Sequence, residues 1–156
     1  MIRLENISKS FGKQQVLKNI SLSIDHGENL SLLGLSGSGK TTLLRIINQL
    51  EIPESGSVYF NNSPIANLNI LEVRRQMGYV IQHGGLFPHY SVLENIGVVH
   101  RLLGWSKNQI KERADELLLK LHLDPKTYIH KMPWQMSGGQ QQRIGIARAL
   151  AANPPV

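Results

Sequence analysis

A glycine-rich stretch constrains the fold of this chain more than any other feature of the sequence. It fits the phosphate-binding pattern G-x-x-x-x-G-K-[S/T] at every fixed position. An apolar run at 30–33 precedes it and predicts a strand, and the helical spacing of Leu43, Ile46, Ile47 and Leu50 predicts a helix after it. A loop between a strand and a helix can turn its N–H groups toward a phosphate, which the helix dipole also favours. The predicted phosphate-binding residues are Gly34, Leu35, Ser36, Gly37, Ser38, Gly39, Lys40, Thr41 and Thr42.

Two residues of this loop have separate expected roles. Lys40 is expected to pair with the β- and γ-phosphates of a nucleotide, and the Thr41 hydroxyl to ligate Mg²⁺. The glycines let the backbone adopt positive φ and approach the phosphates without a Cβ in the way. A chance Gly/Ser linker before a lysine would have neither the strand nor the helix at its ends, so the phosphate-binding interpretation is preferred.

Composition and charge exclude several classes of function. The 156 residues suffice for one domain with a core, and no apolar run approaches the roughly 20 residues of a membrane span. Cysteine is absent, which excludes disulfides and thiolate metal sites and suits a cytoplasmic protein. The formal charge of +6 is spread along the chain without interleaved aromatic residues, so nucleic acid is not an expected partner.

The rest of the chain predicts a sheet first and helices later. Apolar alternation at 2–4 and 20–24 predicts strands with one buried face, and a turn at 10–13 exposes Phe11. A helix at 71–76 and a buried strand at 79–81 come before Gln82, and the loop at 83–90 has apolar and aromatic residues at its tip. Three S-x-x-E/Q capping boxes predict helix starts at Ser91, Ser106 and Ser137. One face of the first of these helices is predicted to carry Val92, Ile96, Val99 and Leu103.

The helix that begins Ser-Gly-Gly is a second candidate anion site. Gly138 and Gly139 would let a ligand approach the N–H groups of the first turn, and Ser137 adds a hydroxyl. Taken alone, the segment also fits a plain helix N-cap.

Three features together, in their order and spacing, resemble the nucleotide-binding subunit of ABC transporters. They are the phosphate loop at 34–41, Gln82 at a predicted strand end, and Ser-Gly-Gly-Gln at 137–140. The resemblance implies an α/β fold, namely a P-loop NTPase core with an N-terminal antiparallel β portion and an all-helical insert that carries the signature motif. The implied division is a core at 1–85, a helical subdomain at 86–136 and a signature helix at 137–152.

The same resemblance implies which residues bind ATP and Mg²⁺. Phe11 matches the aromatic residue that stacks on adenine, and Val16 would pack beside the same base. Residues 34–42 would hold the phosphates, Thr41 and Gln82 would ligate Mg²⁺, and Gln82 would sense the attacking water. The signature residues, which would contact the ATP of a second subunit, are Ser137, Gly138, Gly139 and Gln140.

Several partners are implied as well. In the family two subunits pack head to tail, so that the phosphate loop of one and the signature of the other enclose each ATP. The segment from Gln82 to Tyr90 would dock on membrane-embedded permease subunits, and a substrate-binding protein would take part indirectly. ATP hydrolysis would drive solute uptake, with the chain lying peripherally on the cytoplasmic face of the membrane. The segments 85–89 and 102–107 more narrowly resemble importers of osmoprotectants such as glycine betaine and related quaternary amines.

One part of the family pattern has no counterpart among these residues. The family continues from the signature helix into an apolar strand ending in Asp-Glu, whose glutamate polarises the attacking water. None of the eleven acidic residues follows a run of four apolar residues, and the sequence reaches Val156 where that strand would begin. We therefore expect the C-terminal part of the core and the general-base glutamate to be missing. The chain alone should then bind ATP and hydrolyse it negligibly.

Two other interpretations stay open on the sequence. The chain could be a nucleotide-binding module without hydrolysis, either a natural short form or the product of a disrupted gene. It could also be a soluble ABC protein acting in DNA repair or translation, for which the loop around Phe87 would have no use. Small P-loop kinases and GTPases are disfavoured, since the Asn-Lys-x-Asp motif for guanine is absent and the Ser-Gly-Gly-Gln helix has no role there.

Overall fold

An antiparallel sheet forms the first of two structural units. The computed structural model describes residues 1–82 and 85–156, which divide into the units Met1–Arg74 and Arg75–Val156. The sheet has the strand order β2-β1-β3-β4. Its strands are β1 (Ile2–Phe11), β2 (Gln14–Ile24), β3 (Ser55–Phe60) and β4 (Ser63–Pro64). Ile2 and Leu4 are buried and Arg3 between them is half-buried, which confirms the predicted strand with one buried face.

The pairing of β1 with β2 changes register close to the hairpin turn. Lys9 lies opposite Leu17, whereas the next residue, Ser10, lies opposite Gln15. Val16 is therefore an extra residue on β2, and this β-bulge redirects the side chains around it.

Helix α1 (Lys40–Ile47) begins at the end of the phosphate loop, as predicted. Leu43, Ile46 and Ile47 are buried on its inner face. The prediction that Leu50 lies on the same face is wrong, because the helix ends at Ile47 and Leu50 is 50% exposed. After β3 and β4 the chain continues through a 3₁₀ turn at Ile65–Asn67 and helix α2 (Ile70–Arg75), close to the helix predicted at 71–76.

The strand predicted at 30–33 and the buried strand predicted at 79–81 are not formed. Both segments lie outside every strand and helix, and Leu33 is 92% exposed. An apolar run becomes a strand only when a neighbouring strand bonds its backbone, and no described residue pairs with either segment in a sheet.

The second unit is helical. Its helices are α3 (Val92–Ile96), α4 (Val98–Leu102), α5 (Lys107–Lys120), α6 (Pro125–Tyr128) and α7 (Gly138–Leu150), with a 3₁₀ turn at Pro133–Gln135. All three predicted capping boxes are confirmed. Side chains from α3, α5 and α7 and from the loops between them form one core: Val92, Ile96, Ala114, Leu117, Leu118, Leu123, Ile129, Met136, Ile144, Ala147 and Ala151.

The helix predicted from Val92 to Leu103 is interrupted at Gly97. A Cβ at Gly97 would lie 2.6 Å from Cγ2 of Ile110, so α5 packs directly against the backbone at this point. Val92 and Ile96 are buried as predicted, whereas Leu103, beyond the interruption, is 43% exposed. Across residues 1–82 and 85–156, none of the helices has the length and hydropathy that crossing a bilayer requires.

Candidate functional site

The phosphate loop closes around the ammonium group of its own lysine. Lys40 Nζ donates hydrogen bonds to the carbonyl oxygens of Gly34 (2.8 Å) and Leu35 (2.7 Å) and to Oγ of Ser38 (3.2 Å). The Ser38 N–H in turn donates to the Leu35 carbonyl over 3.2 Å. A positive charge is thus fixed at the centre of the curved loop.

The start of α1 adds unpaired donors beside this charge. The N-cap residue, Gly39, has φ +89° and provides no side-chain cap, and the first helical hydrogen bond runs from Leu43 N–H to the Gly39 carbonyl over 2.9 Å. The N–H groups of Lys40, Thr41 and Thr42 therefore have no acceptor within the helix. Thr41 is exposed, so its hydroxyl is accessible at the same helix end. A lysine, a positive dipole end and several free donors together suit a polyphosphate.

The bulge in β2 brings Val16 against this loop. A Cβ on Gly39 would lie 2.8 Å from Cδ2 of Leu17, 3.0 Å from the carbonyl oxygen of Val16 and 3.1 Å from its Cγ1. Leu17 was not among the predicted site residues. Its contact depends on the register change at Val16, which no sequence pattern reveals.

Phe11 stands at the end of β1, where the sequence predicted an exposed aromatic residue, and it is 51% exposed. The ammonium group of Lys9 lies 5.3 Å from the centroid of its ring. The hairpin thus presents a flat apolar surface of the kind on which a base stacks.

Gln82 lies in an exposed turn of the second unit. The predicted docking segment 82–90 includes His83 and Gly84, which lie outside the described residues. Phe87 and Tyr90, at the other end of the segment, are 46% and 38% exposed, and their ring centroids are 5.3 Å apart.

A buried asparagine fixes this end of the segment. Asn95 Oδ1 accepts from the Phe87 N–H over 2.8 Å, and Asn95 Nδ2 donates to the carbonyls of Tyr90 (2.9 Å), Ser91 (3.1 Å) and Phe87 (3.2 Å). Asn95 is fully buried. Asn95 is not recognisable from the sequence, because a polar residue in a short amphipathic helix gives no indication of its hydrogen-bond partners.

The signature residues form the first turn of α7. Ser137 Oγ accepts from the Gln140 N–H over 3.3 Å, and Gln140 Oε1 accepts from the Ser137 N–H over 3.0 Å. Gln140 Nε2 also donates to the Tyr128 hydroxyl over 2.9 Å. Gly138 and Gly139 are exposed, and a Cβ on either would meet nothing within 4 Å. Packing within this unit therefore does not require glycine at either position.

Acidic groups at helix starts of the second unit are poor bases. Hydrogen bonds from the backbone and hydroxyl of Ser91 lower the pKa of Glu94, and one from the Thr127 hydroxyl lowers the pKa of Asp124. A carboxylate whose pKa is lowered has less affinity for a proton, so neither suits the role of general base.

In the described ranges, no three His, Cys, Asp or Glu side chains are grouped to hold a metal ion.

Comparison with curated proteins gives extensive matches. A family model described as "ABC transporter" matches residues 17–156. The chain is 50% identical over 161 residues to the osmoprotectant import ATP-binding protein OsmV of Salmonella typhimurium, a match that covers 100% of this chain and 42% of that protein. It is 47% identical over 156 residues to the glycine betaine uptake system ATP-binding protein YehX of Escherichia coli, covering 100% of this chain and 50% of that protein. The chain thus spans half or less of the length of these relatives.

Solved structures match over nearly the whole chain. The dimeric structure of a post-hydrolysis state of the ATP-binding cassette MJ0796, bound to ADP and Pi, superposes with a TM-score of 0.89 at 38% identity. That match covers 99% of this chain and 71% of the other. A second dimeric structure of MJ0796, described as a bacterial ABC transporter cassette, gives a TM-score of 0.90 at 39% identity.

Proposed function

Since the chain belongs to the ABC transporter family, we propose that it is the nucleotide-binding part of an importer subunit and that it binds ATP with Mg²⁺. One observation carries the proposal. The phosphate loop holds the Lys40 ammonium at its centre and opens onto the uncapped start of α1. The N–H groups at the start of α1 have no acceptor within the helix, and the oxygens of a triphosphate would accept hydrogen bonds from them.

We assign the parts of the nucleotide to named residues. Phe11 would stack on adenine with Val16 beside it, and residues 34–42 would surround the phosphates. The exposed hydroxyl of Thr41 suits Mg²⁺, a cation that prefers oxygen ligands, and Gln82 would supply a second oxygen and sense the attacking water. When bound, Mg²⁺ would neutralise charge on the β- and γ-phosphates.

We infer that the signature residues act on a second subunit. Gly138 and Gly139 leave the start of α7 open, although their own unit does not need glycine there. Close approach of a nucleotide from another chain explains both glycines, with Ser137 and Gln140 holding the turn in shape. Two copies arranged head to tail would each complete the site of the other.

In the complete importer, ATP binding and hydrolysis in this dimer would drive solute uptake. Glycine betaine or a related quaternary amine is the proposed solute, since two relatives are named for osmoprotectant import and glycine betaine uptake. The segment 82–90 would dock on the permease at the cytoplasmic face of the membrane, and a substrate-binding protein would deliver the solute. Because no acidic residue among the 156 has the setting of the water-polarising glutamate, this polypeptide alone should bind ATP without turnover.

Titration of the chain with ATP in the presence of Mg²⁺ tests the proposal. We expect Lys40→Met to weaken ATP binding by about tenfold or more, because a charge-assisted hydrogen bond contributes about 1.5–3 kcal/mol. Lys18→Met is the matched control, since Lys18 is exposed on β2 and lies outside the loop. Equal binding by the wild type and both variants would overturn the phosphate-site assignment. Uptake of glycine betaine by the complete transporter, with and without Lys40→Met, tests the solute.

A further inference from the structure

Lys9 is held in place by three groups. Its ammonium nitrogen donates to the Ile52 carbonyl over 2.8 Å, pairs with Glu51 Oε1 at 2.8 Å, and lies 5.3 Å from the centroid of the Phe11 ring. The Lys9 side chain is only 15% exposed. Lysine side chains normally extend into solvent, and ordering one costs conformational entropy, so these contacts define its position.

Lys9 and Phe11 share one side of β1. They stand two residues apart on the strand, and residues at that spacing point to the same face. A cation near the face of an aromatic ring is attracted by its π-electrons. The ammonium group therefore fixes a ring that is otherwise half open to solvent at a hairpin corner.

Two of the groups that hold Lys9 come from the segment that follows α1. Glu51 and Ile52 lie just beyond the end of that helix, whose other end carries the phosphate loop. The same segment is bonded to β1 twice more, by Glu54 N–H to the Ser8 carbonyl (2.9 Å) and by Ser10 Oγ to Glu54 Oε2 (3.0 Å). The Phe11 ring is thus positioned relative to the helix that carries the phosphate loop.

We propose that Lys9 is a positioning residue for the nucleotide base: it holds one side of the Phe11 ring so that the other can stack on adenine. The inference rests on the proposed function, because it presupposes that adenine stacks on Phe11. It adds a residue that touches neither base nor phosphate and acts through Phe11 alone. It also gives Glu51 a role, as the anion that keeps the Lys9 ammonium beside the ring.

A comparison of ATP with inorganic tripolyphosphate isolates this role. Tripolyphosphate requires the phosphate loop and has no base to stack. We expect Lys9→Met to weaken ATP binding by about three- to tenfold, the range of a partly desolvated cation–π contact, and to leave tripolyphosphate binding unchanged. Lys9→Arg keeps the charge and should restore most of the ATP affinity. In a Phe11→Leu background, Lys9→Met should have no further effect.

The double variant Lys9→Met/Glu51→Gln guards against misfolding, because it leaves no unpaired carboxylate at the site. It should show the same selective loss of ATP binding as Lys9→Met. Equal weakening of ATP and tripolyphosphate in the variants would overturn the inference and show that Lys9 only supports the fold. The ratio of ATP affinity to tripolyphosphate affinity should be higher in the wild type than in the Phe11→Leu variant. If the wild type binds tripolyphosphate and the two ratios are equal, the assignment of adenine to Phe11 is overturned. Failure to bind either ligand would overturn the proposed phosphate site itself.

Discussion

Gly39 is the residue at which the phosphate loop and the sheet constrain each other most. It has φ +89°, and a Cβ there would meet Leu17 and the Val16 carbonyl oxygen at 3.0 Å or less. Gly37 has a similar φ of +82°, yet a Cβ there would meet nothing within 4 Å. Replacing either by alanine should cost about 1–2 kcal/mol of left-handed backbone strain, and Gly39→Ala about 1–3 kcal/mol more through overpacking.

Urea unfolding of the two variants measures this difference. The flexible end of Leu17 can move, but the backbone oxygen of Val16 cannot, so the extra loss at Gly39 should survive relaxation of the side chains. ATP binding should fall in parallel, because the loop and Val16 belong to the same proposed site. Equal free energies of unfolding for Gly37→Ala and Gly39→Ala would show that the loop relaxes around the Cβ added at Gly39 without a further loss of stability.

The site residues proposed from the sequence are those whose expected role depends on local spacing. Lys40 and Gly39 follow from the phosphate-loop pattern, and Phe11 from the turn that exposes it. The contact of Leu17 with Gly39 depends on a bulge between two strands, and the bonds of Asn95 depend on how the loop at 85–90 folds back over α3. Both are set by tertiary contacts rather than by neighbours in sequence.

At the scale of elements, the sequence patterns predicted correctly those features whose hydrogen bonds close within a few residues. Each of the three capping boxes closes within four residues, and all three formed where predicted. The strands expected at 30–33 and 79–81 need partners for every backbone group, and no described strand provides them. The apolar spacing of α3 and α4 records neither the interruption at Gly97 nor the close approach of α5 to the backbone at that residue.

A buried histidine is expected to make the stability of the helical unit depend on pH. His100 on α4 is fully buried and lies 4.1 Å from the Trp105 ring, centroid to centroid, and neither of its ring nitrogens has a well-aligned hydrogen-bond partner in the described parts of the chain. Burial lowers the pKa of His100 below 6.5, the Ala151 carbonyl opposes this shift, and Arg113 adds to it. The unfolded chain then binds the proton more readily than the folded one. The resulting stability is complete above about pH 6.5 and is lost as the pH falls through the folded pKa.

We expect the melting temperature to fall between about pH 7.5 and pH 5, and His100→Phe to reduce this fall. Phenylalanine keeps an aromatic ring beside Trp105 and carries no titrating group. The pKa values of Glu94, Glu116 and Asp124 are also lowered, from ordinary values of 4.5, 4.5 and 3.8. The stability that these carboxylates contribute is therefore lost at lower pH than the window in which His100 titrates. An identical pH dependence in the wild type and the variant would exclude His100 as the source.

At the scale of the whole molecule, the predicted fold class is confirmed. The chain has the ABC ATPase cassette fold, a P-loop NTPase with an N-terminal antiparallel sheet and a helical region, and covers part of the cassette. The resemblance that predicted this rested on three short motifs, and their order along the chain carried more information than any one of them. Composition contributed mainly by excluding a membrane span and thiolate metal sites.

At the scale of the whole chain, the segment 28–35 also presents apolar side chains to solvent. Residues 28–35 join no strand or helix, and Leu30, Leu33 and Leu35 are 45%, 92% and 86% exposed. Backbone that is not incorporated in a sheet can pair with the same segment of another copy, and exposed leucines favour that contact. We therefore expect the 156-residue chain to self-associate without nucleotide.

Leu33→Lys tests this expectation against Leu119→Lys, because Leu119 is 62% exposed on α5, where the helix satisfies its own backbone. A charge at position 33 should raise the dissociation constant by about tenfold, since burying one leucine contributes about 1.5–3 kcal/mol. The same charge on α5 should change it little.

Sedimentation velocity at several protein concentrations measures both. A monomeric wild-type chain, or an equal response to the two substitutions, would show that association does not involve the 28–35 segment. Association that is weakened by Leu33→Lys and not by Leu119→Lys would place the 28–35 segment in the contact between copies, as expected for an apolar run without a partner strand.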